Sequence, residues 1–459
     1  MLICTHIPSL RAPIAKACYR RIQKCIVKHA EGHFRFIEDG VLGILAKEHI
    51  HSPNNGVVKI YKKCLACNHL PYMIIFFLVS SKMWRAEERL LGLQTFRACP
   101  RDGTLVVVLG GGPVGLLSAL ERAHHHKDRV LVMEKRRTPS RSQVVALREE
   151  MATFLYNLMR DAKLASSPEK YESANRLYVK GVRYEQVRGR ILTFQLTVLE
   201  HLLRILAEIF EVRFEEGTVM GVNEAKDMIY TRRLPDGAVE AITQPYDIAI
   251  DASGGNLQNV PSGTFRHPNL HPRHGKFELE TSKEVWEQLG PPRTAPNMLE
   301  VPFWQVYAKY GDTWGLKRRP ITRVFPFVDL GGNRKVYVGT ELPFFVDGVE
   351  FVQWILRHHG VNVLEVRQTS TFHVTGLRYY EPGFDDATGT LRVGDALYEP
   401  HYLTASGINN AYGELTDMQL QTKTECLNEL LVRRRDDYYK KVSEMLDGPE
   451  KAGKLFFQQ

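Results

Sequence analysis

The stretch "TLVVVLGGGPVGLLSALERA", residues 104–123, decides the fold. Val106 to Leu109 form a short apolar run of the kind that makes a buried strand. Gly110, Gly112 and Gly115 follow at G-x-G-x-x-G spacing, and Pro113 and Val114 open a stretch with helical periodicity. The first glycine permits a tight turn and the second lets a pyrophosphate reach the backbone. The third lets the helix lie close on the strand. The helix start offers unbonded N–H groups to phosphate.

Glycines alone also fit an ordinary left-handed turn, so the surroundings decide. "DRVLVMEKR" (128–136) reads as a second strand ending on Glu134, 19 residues after Gly115. A carboxylate there can accept hydrogen bonds from both ribose hydroxyls. Strand, turn, helix and acid together indicate a dinucleotide site. Arg136, Arg137 and Arg141 then form a basic cluster just past the acid, with polar Ser142 and Gln143.

At 459 residues, 44% hydrophobic and 25% charged, the chain suits two or three globular domains. The net charge of +9 is confined to residues 1–100, which hold 15 Lys+Arg against 6 Asp+Glu; residues 101–459 hold 46 of each sign. Six of seven cysteines also precede residue 100, and an odd count without a secretory signal argues for reduced thiols and a cytoplasmic setting. Cys64-x-x-Cys67 lacks a second ligand pair, so no metal site is expected. The longest apolar run, "LPYMIIFFLV" (70–79), is half the length of a membrane helix. "RAPIAKACYRRIQKCIVKHA" (11–30) carries apolar residues near helical spacing and reads as a basic helix. It suits solvent, a transit peptide or a membrane surface, the last making the protein peripheral.

From Thr104 to about residue 260, strand-like and helix-like runs alternate. "ILTFQLTVLEHLLRILAEIF" (191–210) reads as one amphipathic helix, and "YDIAIDAS" (246–253) as a strand. Residues 262 to about 390 are rich in aromatic and β-branched residues and suggest a mixed or antiparallel sheet. In "LRVGDALYEPHYLTASGINNAYGELTDMQL" (391–420), Gly394-Asp395 ends a strand and Gly407-Ile408-Asn409-Asn410-Ala411 opens a helix. "LNELLVRRRDDYYKKVSEML" (427–446) reads as a charged helical tail.

This order of motifs resembles the class A FAD-dependent monooxygenases with the p-hydroxybenzoate hydroxylase fold. "LYEPHY", with Pro400 six residues after Gly394, is similar to the MICAL-type flavoprotein hydroxylases, as are "SRSQVVAL" and "LTFQLTVLEHLL". The resemblance implies an α/β architecture: a basic, Cys-rich helical N-terminal extension (1–100), a Rossmann-like FAD-binding domain (101–261 and 385–425), an inserted β-rich substrate domain (262–384) and a C-terminal helical tail (426–459). It implies that Gly110, Gly112, Pro113, Val114, Gly115, Glu134, Lys135, Arg141 and Gln143 hold the ADP side of FAD. Gln195 stands where an arginine commonly opens the next helix. Asp395 is expected at the ribityl chain or ribose, with Pro400, Gly407, Ile408 and Asn409 around the flavin ring.

Three positions depart from the family. Ser253, in "IDASGG", replaces the aspartate linked to pyrophosphate and NAD(P)H; Ala405 replaces a glycine, and Gln195 the arginine. The resemblance implies oxygenation by NADPH or NADH and O2 through a flavin C4a-hydroperoxide, on a small organic molecule or a protein side chain. No catalytic side chain is assigned. Of Phe303, Trp304, Tyr307, Trp314, Phe325 and Phe327, each serves as a roof over the flavin or as plain core. His124-His125-His126 reads as a solvated helix end rather than a ligand. No nucleic-acid partner is expected, and residues 1–100 suit an acidic protein or a membrane surface. Rival readings are a geranylgeranyl-reductase-type flavoprotein ("VFPF", 324–327) and a non-catalytic FAD-bound effector, which Ser253 keeps open. Absence of a W-x-W-x-I-P stretch argues against a flavin halogenase.

Overall fold

Strand β1 (Leu105–Leu109) turns at Gly110 into helix α1 (Pro113–Leu120), which runs on as one π-helical turn, Glu121–His126, before β2 (Arg129–Glu134). The computed structural model describes residues 104–448, except 137–141, 187–188, 235–236, 258–260, 290–296, 364, 405–406 and 421–423. The basic N-terminal hundred residues with Cys64 and Cys67, together with Arg137, Arg141 and Ala405, lie outside the described residues.

β3 (Val144–Leu147), α2 (Glu149–Ala165), α3 (Pro168–Tyr178), β4 (Val182–Gln186), β5 (Gly189–Gln195) and α4 (Leu196–Ile209) lead to β6 (Arg213–Glu216). An antiparallel layer, β7 (Thr218–Val222), β8 (Asp227–Arg233) and β9 (Val239–Pro245), precedes β10 (Ile248–Asp251). Ile191–Gln195 is therefore strand, not helix. Ile191, Leu192 and Phe194 are buried, and Val144–Leu147 pairs antiparallel with Leu192–Gln195, so the helix starts only at Leu196. Tertiary pairing overrides a periodicity that five residues are too short to fix.

After β11 (Gly263–Phe265) come β12 (Arg273–Glu280), α5 (Lys283–Leu289), β13 (Asn297–Met298), α6 (Phe303–Tyr310), β14 (Thr322–Val328), β15 (Arg334–Glu341), α7 (Gly348–His358) and β16 (Glu365–His373). Strands β13-β14-β15-β12-β16 make one sheet, antiparallel throughout. The chain returns through β17 (Leu377–Tyr379), β18 (Phe384–Asp385) and β19 (Thr390–Arg392) to α8 (Gly407–Leu420) and α9 (Thr424–Asp447). The main sheet runs β18-β19-β10-β1-β2-β6, parallel except for β18 against β19. Its order reverses at β1, with β2 on one side and β10 on the other. A crevice therefore opens at the carboxyl ends of β1 and β10, where α/β sheets bind ligands. Among the described residues no helix is long and apolar enough to cross a membrane.

α9 is no exposed tail. Leu427, Leu431, Val442, Met445 and Leu446 are buried in the same core as β1, α1 and α4. Leu431→Ala is expected to cost about 2–5 kcal/mol in urea unfolding, where a solvated tail would move by no more than about 0.5 kcal/mol.

Of the histidine triplet only His125 is exposed, as a solvated end would be. His124 and His126 side chains are 12% and 15% exposed. His124 Nε2 lies 3.1 Å from Asp161 Oδ2, His125 Nδ1 lies 3.1 Å from Glu121 Oε1, and His126 Nε2 lies 3.5 Å from Glu121 Oε2. Burial alone would raise the Glu121 carboxyl, but the hydrogen bonds and charge of His125 and His126 hold it at about 2 against an ordinary 4.5. A depressed carboxylate stabilises the fold above its unfolded value and loses that contribution on acidification. Wild type is expected to lose more stability than Glu121→Gln as the pH falls from about 4.5 toward about 2, read by unfolding at each pH.

Candidate functional site

One cleft of about 840 Å³ runs from the carboxyl ends of β1, β2 and β10 to the antiparallel sheet. At its first end the backbone leaves no room for side chains. Gly110 sits at φ +112, and a Cβ on it would lie 2.7 Å from the Ala252 carbonyl oxygen. A Cβ on Gly115 would lie 1.8 Å from the Gly110 oxygen, so α1 hugs β1. Gly112 is different: a Cβ there meets nothing within 4 Å. It caps α1 with no side-chain bond and no acid in the first turn, so the positive helix end faces open space.

Glu134 closes this end. Its Oε2 accepts from the Gly111 N–H at 2.7 Å and its Oε1 from the Arg136 N–H at 3.0 Å. The carboxylate ties the glycine turn to the end of β2, and its Oε1 also takes the Arg136 Nε at 3.4 Å. Lys135 and Arg136 line the same end and are exposed.

Opposite stands the Gly394–Asp395 turn. Gly394 is at φ +60, and Val114 of α1 lies 3.2 Å from where its Cβ would be. The Gly394 N–H donates to Glu414 Oε2 at 2.8 Å, and Glu414 is fully buried. Burial pushes the Glu414 carboxyl up to about 7, although the Gly394 N–H, Tyr398 and Arg434 pull it down. Under Ser253 lies Asp251, 1% exposed, whose Oδ1 accepts from the Ser253 N–H at 3.0 Å. Burial raises this carboxyl too, against those bonds from Ser253 and the charge of Arg392.

The far end is walled by Phe325, Tyr337, Gly339, Phe372, His373 and the turn His401-Tyr402-Leu403. Tyr402 donates its hydroxyl to the Thr340 carbonyl at 3.0 Å. His401 is 1% exposed, and burial drives its imidazole down to about 3, so it is neutral.

Gly110, Gly112, Pro113, Val114, Glu134, Lys135, Gln143, Ser253, Asp395, Pro400, Gly407 and Ile408 all line this cleft. Gly115, Gln195 and Asn409 do not. Gly115 packs α1 on β1, and Gln195 is the residue on which α4 starts. The Asn409 side chain instead bonds β3 to α8, Oδ1 accepting from Arg148 N–H at 2.8 Å and Nδ2 donating to Ala146 O at 2.7 Å. Of the six aromatics considered as a roof, Phe325 alone lines the cleft; Trp314 and Phe327 are core, Phe303 is partly buried against core, and Trp304 and Tyr307 are exposed.

The Gly217–Val219 corner beside Glu134 lines the cleft and was not legible as part of the site. Glu414, behind the Gly394 turn, was not legible either, being one of two acids, with Asp417, on α8.

No family model matches the chain, and no curated protein does. Solved structures do. The flavin-dependent brominase Bmp2 superposes at a TM-score of 0.51 with 14% identity, covering 77% of this chain and 90% of that one. The p-nitrophenol 4-monooxygenase PnpA from Pseudomonas putida DLL-E4 gives 0.50 with 15% identity over 76% and 89%. The flavin-dependent monooxygenase PieE, in complex with FAD and substrate, gives 0.50 with 12% identity over 77% and 66%. The fold is that of these flavin-dependent enzymes. The likeness is one of architecture.

Asn409→Ala leaves two backbone groups without their partner and is expected to cost about 1–3 kcal/mol in urea unfolding. Asn409→Asp keeps the acceptor for Arg148 N–H but sets an oxygen against the Ala146 carbonyl, so it is expected to lose less than the alanine variant only at a pH low enough to protonate it.

Proposed function

We propose that this protein is a flavoprotein monooxygenase that holds FAD in the cleft and oxygenates a small organic substrate, with NADPH or NADH as reductant. The observation that carries this reading is the continuous cleft, with a backbone open to a ligand at Gly112 at one end and an aromatic wall at the other. The residues present fit a dinucleotide. The α1 N-terminus and Gly112 suit a diphosphate, Glu134 suits a ribose, and Asp395 suits a hydroxylated chain between them. When bound, FAD supplies two-electron chemistry and activation of O2.

What the chain contributes is placement. Gly407 and Ile408 turn the first N–H groups of α8 toward the ring end, where a helix N-terminus favours developing negative charge. Pro400 packs against Gly407, with its Cγ 3.1 Å from where a Cβ would be, which holds that helix start in place. Phe325 and Tyr337 are buried, and with Phe372 and Tyr402 they exclude water from the far end. An aromatic-walled pocket favours a small organic molecule over the protein side chain that MICAL-type similarity implies. The basic N-terminal segment is the part suited to an acidic protein or membrane surface.

Purified protein is expected to show flavin absorbance that bleaches with NADPH and recovers in air. Bleaching that fails while FAD stays bound supports the FAD-bound effector reading, and no FAD binding overturns the proposal. Gly112 has φ −71 and ψ −178, which any residue adopts, and space for a side chain. Gly112→Val is therefore expected to cost no more than the exchange of an N-cap glycine, about 1 kcal/mol, while weakening FAD binding at least about tenfold, or about 1.4 kcal/mol, by fluorescence titration. Unchanged affinity would remove the diphosphate from this turn.

A further inference from the structure

Glu414 is a fully buried carboxyl directly beneath the cleft, and nothing in the proposed oxygenation uses it. Its Oε2 accepts from the Gly394 N–H at 2.8 Å. Gly394 has a left-handed backbone and packs on Val114, so this bond fixes the turn that carries Asp395 into the cleft. One carboxyl thus connects α8, the Gly394–Asp395 turn and the phosphate-facing end of α1.

We propose that Glu414 is a positioning residue that takes up a proton when a dinucleotide diphosphate enters the cleft, so that cofactor affinity falls as the pH rises through neutrality. The inference rests on the FAD reading of the cleft.

The surroundings set the sign. Asp395, on the turn itself, adds negative charge and raises the carboxyl. Tyr398, from the segment after the turn, and Arg434, from α9, lower it. The Arg434 guanidinium lies 2.7 Å from where a Cβ of Gly413 would be, beside Glu414. α1, Pro113–Leu120, brings no charged side chain to this face. Burial outweighs the pull of Tyr398 and Arg434 and leaves the carboxyl at about 7. A diphosphate brings two further negative charges, which favour the protonated carboxyl. The bound form therefore has the higher pKa. By linkage, each unit of difference is a factor of about ten in affinity between the low-pH and high-pH limits. Protonated or ionised, Glu414 still has an oxygen to accept from Gly394, so the turn survives in both states.

The test measures the FAD dissociation constant by flavin fluorescence at pH values of about 6, 7 and 8, with calorimetry in two buffers of different ionisation enthalpy. Wild type is expected to bind about tenfold more weakly at the high end and to take up a net proton. Glu414→Gln keeps an acceptor for Gly394 and is expected to bind FAD with little pH dependence. Asp251, a second buried carboxyl raised by burial and bonded to Ser253 of the cleft wall, is the competing acceptor of a proton, and Asp251→Asn is expected to retain the uptake. That variant keeps the test decisive if Glu414→Gln does not fold. A purely structural Glu414 would change affinity equally at every pH with no proton taken up. A pH-independent wild type, zero proton uptake, or an unchanged slope in Glu414→Gln overturns the inference and leaves FAD binding intact. No FAD binding at any pH overturns the cofactor reading, and this inference with it.

Discussion

The contact between Gly115 and the Gly110 carbonyl sets the position of nearly everything around the cleft. With a Cβ at Gly115 1.8 Å from that oxygen, α1 could not lie where it does. Because it does, the helix N-terminus points into the crevice between β1 and β10, and Val114 becomes the surface on which the Gly394 turn rests. Glu134 then closes the same turn from the β2 side through the Gly111 N–H. Three segments are referred to one glycine contact, and each reference has backbone atoms on at least one side. Such a site is preorganised, because little conformational entropy remains to be lost on binding.

The far end is fixed from the other end of the chain. The Tyr438 hydroxyl accepts from the His401 N–H at 2.7 Å and lies 3.0 Å from Thr404 Oγ1. α9 thereby holds the turn 401–404 against the antiparallel sheet, and Tyr402 spans the gap to Thr340. The last helix belongs to the cleft as much as the first strand does. Its burial explains why apolar residues recur among its charges.

The β1–turn–α1–β2 unit and Glu134 were legible because the constraints there are local: a strand's length, a helix's period, and glycines where no side chain fits. The strand Ile191–Gln195 was not, since its pairing partner Val144–Leu147 lies some fifty residues away and its apolar residues run straight into those of α4. α9 hid its inner face because Leu427, Leu431, Tyr438 and Val442 are spaced among arginines, lysines and aspartates. Asn409 shows a different shortfall. Its position at the start of α8 was readable, but the direction of its side chain depends on Ala146 of β3 and on Arg148 just after it. Glu414 was illegible for a similar reason, because nothing local announces that a helical acid will be buried.

Ser253 has two consequences on the proposed reading. An aspartate at that position would place a carboxylate in the cleft wall beside a diphosphate. The chain keeps its acid two residues earlier, where Asp251 is buried and turned to the Ser253 N–H from below. The wall at the end of β10 is thus less negative. With no acid in the first turn of α1, the field at Gly112 is set by the helix N–H groups, by Lys135, and by the Glu134 carboxylate with Arg136 paired to it. That favours a tightly held anion. The same change leaves a neutral hydroxyl, still able to donate or accept, at the position that the family resemblance links to the reduced nicotinamide cofactor. On the proposed reading, FAD binding and reduction would then draw on different atoms of this wall.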